Sequence, residues 1–170
     1  PSIPEYVTVH LGAPQEPAAN VTVSFLDYIR NVASSEIYPT WPEEALRANI
    51  YAQLSFALNR IYTEFYRTQG YDFDITNNTA YDQAYVEGRD IFANISELAA
   101  ELFRTYIRRP GQIVPLFTPY CNGVSSTCEG LSQWETVELA EQGLSALEIL
   151  KYYFGEDIEL VENVPIVQPE

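Results

Sequence analysis

The sequence is poor in positive charge. Nine Lys and Arg stand against 24 Asp and Glu in 170 residues, a formal net charge of −15. That balance offers no electrostatic footprint for a polyanion, so nucleic acid is excluded as a partner class. Long apolar runs are missing too. No stretch approaches the ~18 uninterrupted apolar residues of a spanning helix, and no transmembrane segment is expected in this chain. The opening residues Pro1-Ser2-Ile3-Pro4-Glu5 lack the basic and apolar regions of a signal peptide. The chain therefore reads as a mature or excised piece. The single histidine, His10, is remote from the two cysteines, Cys121 and Cys128. Structural zinc takes about four N or S ligands, so no zinc or other cofactor is expected. The cysteines flank a polar loop, residues 122–127, that can fold back on itself. A disulfide formed in an oxidising compartment is expected, with two free thiols as the alternative.

What is present suffices to fold. Apolar residues make up 46% of the chain and charged ones 19%, enough to bury one core in a length that suits one domain. Tyr6-Val7-Thr8-Val9-His10 alternates as a short strand and ends at Gly12-Ala13-Pro14, which leaves His10 a structural role. From Ser24, a plausible N-cap, Phe25, Tyr28, Ile29 and Val32 recur at helical spacing until about Ile37. Pro39 and Pro42 break that helix. A second helix is expected from Pro42 to about Thr68, with Ala45, Ala48, Ala52 and Ser55 as a stripe for close packing. Residues 71–87 read as a surface loop with at most short strands, and residues 88–108 as a third helix stopped by Arg108-Arg109-Pro110-Gly111. An extended segment over residues 114–120, the cysteine loop, and a last helical region over 134–153 interrupted near Gly143 complete the order. The fold class expected is α+β: a helix-dominated single domain with short strands and long functional loops. Residues 1–23 form an N-terminal strand and linker, 24–155 the domain, and 156–170 a tail.

Three separated segments carry a pattern. Residues 25–48 contain Tyr28-Ile29, Val32-Ala33, Glu36-Ile37 and Trp41-Pro42-Glu43-Glu44-Ala45-Leu46-Arg47-Ala48. Asp82-Gln83-Ala84-Tyr85 follows with Gly88. Gly130-Leu131-Ser132-Gln133-Trp134 then runs into Leu139-Ala140, Gly143 and Glu148-Ile149-Leu150-Lys151-Tyr152-Tyr153-Phe154-Gly155. In content and order these resemble the SpoIID/LytB family of peptidoglycan-acting domains, over roughly residues 25–155.

The resemblance implies lytic transglycosylase activity on the MurNAc–GlcNAc bonds of peptidoglycan glycan strands, with Glu36 as the catalytic acid/base. A carboxylic acid suits that reaction, since it protonates the leaving oxygen and then, as a carboxylate, takes the proton of the C6 hydroxyl closing a 1,6-anhydro ring. A surface glutamate at a helix end is the bland alternative. Ser132, Gln133 and Trp134 suit sugar binding through stacking and hydrogen bonds, and they equally suit a helix start with Ser132 as cap and Trp134 in the core. Gln83, Tyr85 and Tyr120 are further substrate-binding candidates. Leu54 stands where the family often has an arginine, and Glu135 where it has a glycine. A non-catalytic wall-binding or assembly module of the same fold is therefore the second reading. Some members hold a metal before the second segment, where this chain has Asp74, Asn77, Asn78 and Thr79, so no metal is expected. An extracellular or wall-associated bacterial location, within a larger multidomain wall protein, completes the expectation.

Overall fold

The computed structural model describes residues 1–167. A long helix organises it. Helix α2 (Glu43–Tyr62) is buried on nearly every face from Ala45 to Leu58 and touches most other elements. A helix buried on nearly every face has to lie inside a fold. Helix α1 (Phe25–Glu36) precedes it, capped by Ser24, whose side chain accepts from the Asp27 N–H at 3.1 Å. Helices α3 (Ala93–Leu102), α4 (Gln133–Glu141) and α5 (Ala146–Phe154) surround α2.

The strands are short and peripheral. Strand β1 (Tyr6–His10) pairs antiparallel with β2 (Asn20–Ser24) and parallel with β3 (Ile75–Thr76). Strand β4 (Tyr106–Arg108) pairs with β7 (Glu159–Val161), and β5 (Tyr120–Cys121) with β6 (Leu131–Ser132). The molecule is thus α+β, helix-dominated, with strands in small sheets. His10 sits in β1 with both ring nitrogens occupied, by Asn20 Oδ1 at 2.7 Å and the Glu16 carbonyl at 2.9 Å.

Two helical expectations end differently. The second helix stops at Tyr62 rather than Thr68, because Glu64 takes a left-handed φ of 50° and turns the chain back, so that the Phe65 N–H meets the Arg60 carbonyl at 3.1 Å. The third helix is ten residues long and begins at Ala93, beyond Gly88 at φ 79°. At its other end Tyr106–Arg108 peels away as β4. Ser55 Oγ bonds both backbone groups of Ile107, and Arg108 and Arg109 pair with Glu159 and Asp157 rather than finishing a helix. The last helical region is interrupted at Gly143 as expected, with a Ser145–Glu148 capping box restarting the second helix. Strand β2 was not expected. Its Asn-Val-Thr-Val-Ser alternation was hidden by the helix signal that starts at Ser24.

Polar side chains of the buried helix hold the loops around it. Asn49 donates to Thr136 Oγ1 at 2.9 Å, Ser55 to the Leu116 carbonyl at 2.7 Å, and Asn59 to the Pro115 carbonyl at 2.8 Å. Thr118 donates to the Ala52 carbonyl at 2.7 Å. Arg60 closes the set with a 2.8 Å ion pair to Asp82, its guanidinium lying 3.9 Å from the centre of the Phe65 ring. Removing one partner of such a pair strands the other charge and costs about 3 kcal/mol or more. Asp82→Ala is accordingly expected to lower unfolding stability by about 3 kcal/mol, read from the urea midpoint at unchanged slope. A loss below about 0.5 kcal/mol, the range of ordinary surface substitutions, would show the pair to be unimportant.

Candidate functional site

Glu36 is the last residue of α1, and the helix ends there because Ile37 leaves in an extended conformation before Pro39. Its carboxyl faces a cavity of about 380 Å³ lined by Thr79, Ala80, Asp82, Tyr120, Cys121, Asn122, Ser126 and Gln133. Four chain segments meet there: the end of α1, the turn before Asp82, the cysteine loop and the start of α4.

The electrostatics are set by burial. Removal from water raises the Glu36 pKa, and Tyr120 and Gln133, directed at the carboxyl, counter part of that rise. The end of α1 carries no basic residue that would favour the anion. Tyr120 Oη and Gln133 Nε2 are buried and have no hydrogen-bond partner among the described residues. They stand near enough to Glu36 to act on its charge and are free to bond an incoming group. Burial first, and Glu36 next, push the Tyr120 phenol well above its usual range, so it remains an O–H donor. Asp82, the other carboxylate of the cavity wall, is fully engaged. Arg60 Nε reaches its Oδ1, while Tyr66 Oη, Thr76 Oγ1 and the Thr76 N–H reach its Oδ2 at 2.6, 2.8 and 3.0 Å.

Cys121 and Cys128 form a disulfide, Cα to Cα 6.0 Å. Within the loop it closes, Asn122 Oδ1 accepts the backbone N–H groups of Val124, Ser125 and Ser126 at 2.8 to 3.1 Å. Gly123, at φ 82°, lies so close to Ser132 that any Cβ there would collide with the Ser132 hydroxyl. Strand pairing of Cys121 with Ser132 and a 3.1 Å bond from the Trp134 N–H to the Asn122 carbonyl bind loop and helix start together.

The residues singled out from the sequence therefore divide. Glu36, Tyr120 and Gln133 share the cavity, and Gln133 is only 4% exposed. Ser132 occupies the cap position of α4 without a side-chain cap bond. Trp134 lies outside the core, 42% exposed, against Trp41 and Tyr38. Gln83 is wholly buried below the cavity, accepting from Tyr28 Oη at 2.8 Å and donating to the Gln53 carbonyl at 3.0 Å. Tyr85 stacks on Tyr28 inside the core, its hydroxyl on Glu87. Leu54 is core, and the Glu135 carboxylate accepts from Tyr153 Oη at 2.8 Å, away from the cavity lining. Asn122, which adjoins Tyr120 in a glycine-containing loop like the family's, lines the cavity too, and Ser126 and Thr79 join it without a sequence expectation. Their signal is weak, because polar loop residues are common and only the folding of the cysteine loop and of the turn before Asp82 brings these ones to the cavity of Glu36. The residues standing where some family members hold a metal do not fit one. Asp74 supplies the only carboxylate there and is taken by the Thr8 N–H and by Arg67.

Residues 16–107 match the family model described as SpoIID, stage II sporulation protein. No curated protein matches the chain.

The raised pKa of Glu36 has a sign in stability. A carboxyl whose pKa is higher folded than unfolded contributes stability below the unfolded value that is lost as pH rises through the folded one. Glu36→Gln is expected to melt higher than wild type at pH 7 and to converge with it below about pH 4, near the ordinary carboxylate range. Thermal melts of both proteins across pH check this, and parallel curves at every pH would contradict it.

Proposed function

The chain belongs to the SpoIID family of stage II sporulation proteins, which supports a sporulation-related, cell-wall role, and from that premise we propose that it cleaves peptidoglycan glycan strands by lytic transglycosylation. Glu36 is the acid and then the base. One observation carries this reading: among the described residues Glu36 is the carboxyl of the cavity with no protein cation paired to it, while Asp82 is bound on both oxygens. Hydrolytic glycosidases generally use two free carboxyls, one of which activates water or attacks the sugar. A single available carboxyl suits a reaction in which the substrate supplies its own nucleophile.

The proton balance closes on that one group. Protonated Glu36 gives its proton to the glycosidic oxygen between MurNAc and GlcNAc as the C1–O bond breaks, and the bonding pair leaves with that oxygen. The 2-acetamido group stabilises the positive charge at C1. The Glu36 carboxylate then accepts the proton of the C6 hydroxyl as O6 bonds C1, which closes the 1,6-anhydro ring and restores the acid without consuming water. Burial supports the first step by keeping Glu36 protonated at higher pH than an exposed carboxyl. Tyr120 Oη and Gln133 Nε2, donors without partners, suit the hydroxyl and acetamido oxygens of the substrate. The disulfide accords with action outside the membrane, at the wall.

Digestion of peptide-stripped glycan strands, followed by mass spectrometry, tests the proposal. Wild type is expected to release 1,6-anhydro products, and Glu36→Gln to release them at least about 100-fold more slowly, the scale of a lost general acid. Activity is expected to fall on the alkaline side as Glu36 loses its proton. Reducing-end products would replace the lytic route with hydrolysis. No products above the Glu36→Gln level, with wall pull-down retained, would make the chain a binding module.

A further inference from the structure

We propose that Tyr38, Trp41 and Trp134 form a second, stacking subsite that holds a sugar ring of the same glycan strand beyond the Glu36 cavity, so that binding depends on strand length. This rests on the glycan reading above but on different residues. The three rings touch one another, with centroids 5.7 Å apart for Tyr38 and Trp41, 5.4 Å for Tyr38 and Trp134, and 4.9 Å for the two tryptophans. Trp41 is 8% exposed and supports the other two, which present 55% and 42% of their surface to solvent. Buried large rings lower the free energy of a fold, and exposed ones in mutual contact form an apolar patch that needs a reason.

The patch adjoins the cavity through the chain itself. Tyr38 follows Glu36 by two residues, and Trp134 directly follows Gln133. Cavity wall and platform are therefore positioned by the same two helix ends. Their backbone is held as well: the Trp41 N–H bonds the Tyr38 carbonyl at 3.1 Å, Asn94 donates to the Pro39 carbonyl at 2.9 Å, and the Trp134 N–H bonds the Asn122 carbonyl at 3.1 Å. A surface ordered before binding loses little conformational entropy when a ligand settles on it.

The occupant is a sugar rather than a protein. Stable protein interfaces need roughly 800 Å² from each partner, far more than two partly exposed rings offer. The apolar C–H face of a pyranose suits an aromatic ring, and a linear polymer with one bond at Glu36 has to leave the cavity over some adjoining surface. The cavity itself is lined mainly by polar groups and holds the reacting unit. The platform takes a neighbouring one.

The two tryptophans of the chain are Trp41 and Trp134, so tryptophan emission reports on this platform alone. Peptide-free GlcNAc–MurNAc oligomers of one and of three disaccharide units would be titrated into Glu36→Gln protein, which does not consume them. The longer oligomer is expected to shift tryptophan emission and to bind at least about tenfold more tightly than the single disaccharide, equivalent to about 1.4 kcal/mol. In the same background Trp134→Ala and Tyr38→Ala are expected to erase that length advantage by calorimetry, and Trp134→Phe to keep it. Unchanged emission, no binding at either length, or the same length advantage in both alanine variants overturns the subsite. The two readings fail separately. Length-dependent binding without 1,6-anhydro products removes catalysis and leaves the platform, whereas products formed with no length advantage remove the platform alone.

Discussion

The structure depends on burying α2 from almost every side while that helix still carries polar side chains. A buried donor or acceptor left alone costs about 1 to 3 kcal/mol, so most find a partner on whatever packs against the helix, the Gln53 side-chain amide being an exception among the described residues. Asn49 finds Thr136 at the start of α4, Ser55 the backbone of β4 and of residue 116, Asn59 the carbonyl of Pro115, and the backbone carbonyls of Ala52 and Gln53 take Thr118 and Gln83. These partners lie in the segments that supply the cavity wall. The loops around Glu36 are therefore located from inside the fold by hydrogen bonds with few alternatives, although they carry little regular structure of their own.

That arrangement also explains how a carboxyl comes to be raised in pKa in so acidic a chain. Long-range repulsion among exposed acids is weakened by water and salt, whereas the rise at Glu36 comes first from its own desolvation. Tyr120 is held in the same dry region, so its proton stays in place beside the carboxyl. On the other wall, four donors keep Asp82 engaged, and Arg60 neutralises it within a cage of aromatic rings. Two carboxyls of one cavity are thus placed in different environments, one free to exchange a proton and the other tied into the scaffold.

The sequence made the helices and their order readable where one period ran without competition. Ser24 and the apolar face from Phe25 to Val32 located α1, and Pro39 and Pro42 separated it from α2. Long-range partners decided the rest. Tyr106 and Ile107 continue a helical spacing, yet β7 and Ser55 make a better offer to their backbone, and nothing local to residues 88–108 announces it. The hairpin strand β2 was obscured for a related reason, since its last residue doubles as the cap of α1. In the site, the motif pointed to Glu36 and Gln133, and the expected extended run reached Tyr120. What could not be read was that Tyr85 would stack within the core, while Ser126 would be drawn to the cavity by a disulfide and the turn inside it.

Two departures from the family pattern bear on whether such a site can react. An arginine replaced by Leu54 would matter most if that position faced the carboxyl, and a glycine replaced by Glu135 if backbone there had to approach the sugar. Leu54 is instead enclosed among apolar side chains, where a guanidinium would have to be desolvated and paired before it could serve anything. Glu135 turns its carboxylate to Tyr153, whose hydroxyl also reaches the Ser132 carbonyl, so the added side chain braces α4 against α5. Neither Leu54 nor Glu135 is among the residues that line the cavity. Close approaches that depend on glycine occur at Gly123, where the cysteine loop meets Ser132, and at Gly130, which lies against the Pro119 carbonyl, and both glycines are present. Neither position therefore separates a catalytic domain from a binding module, and the decision rests with the carboxyl of Glu36 itself.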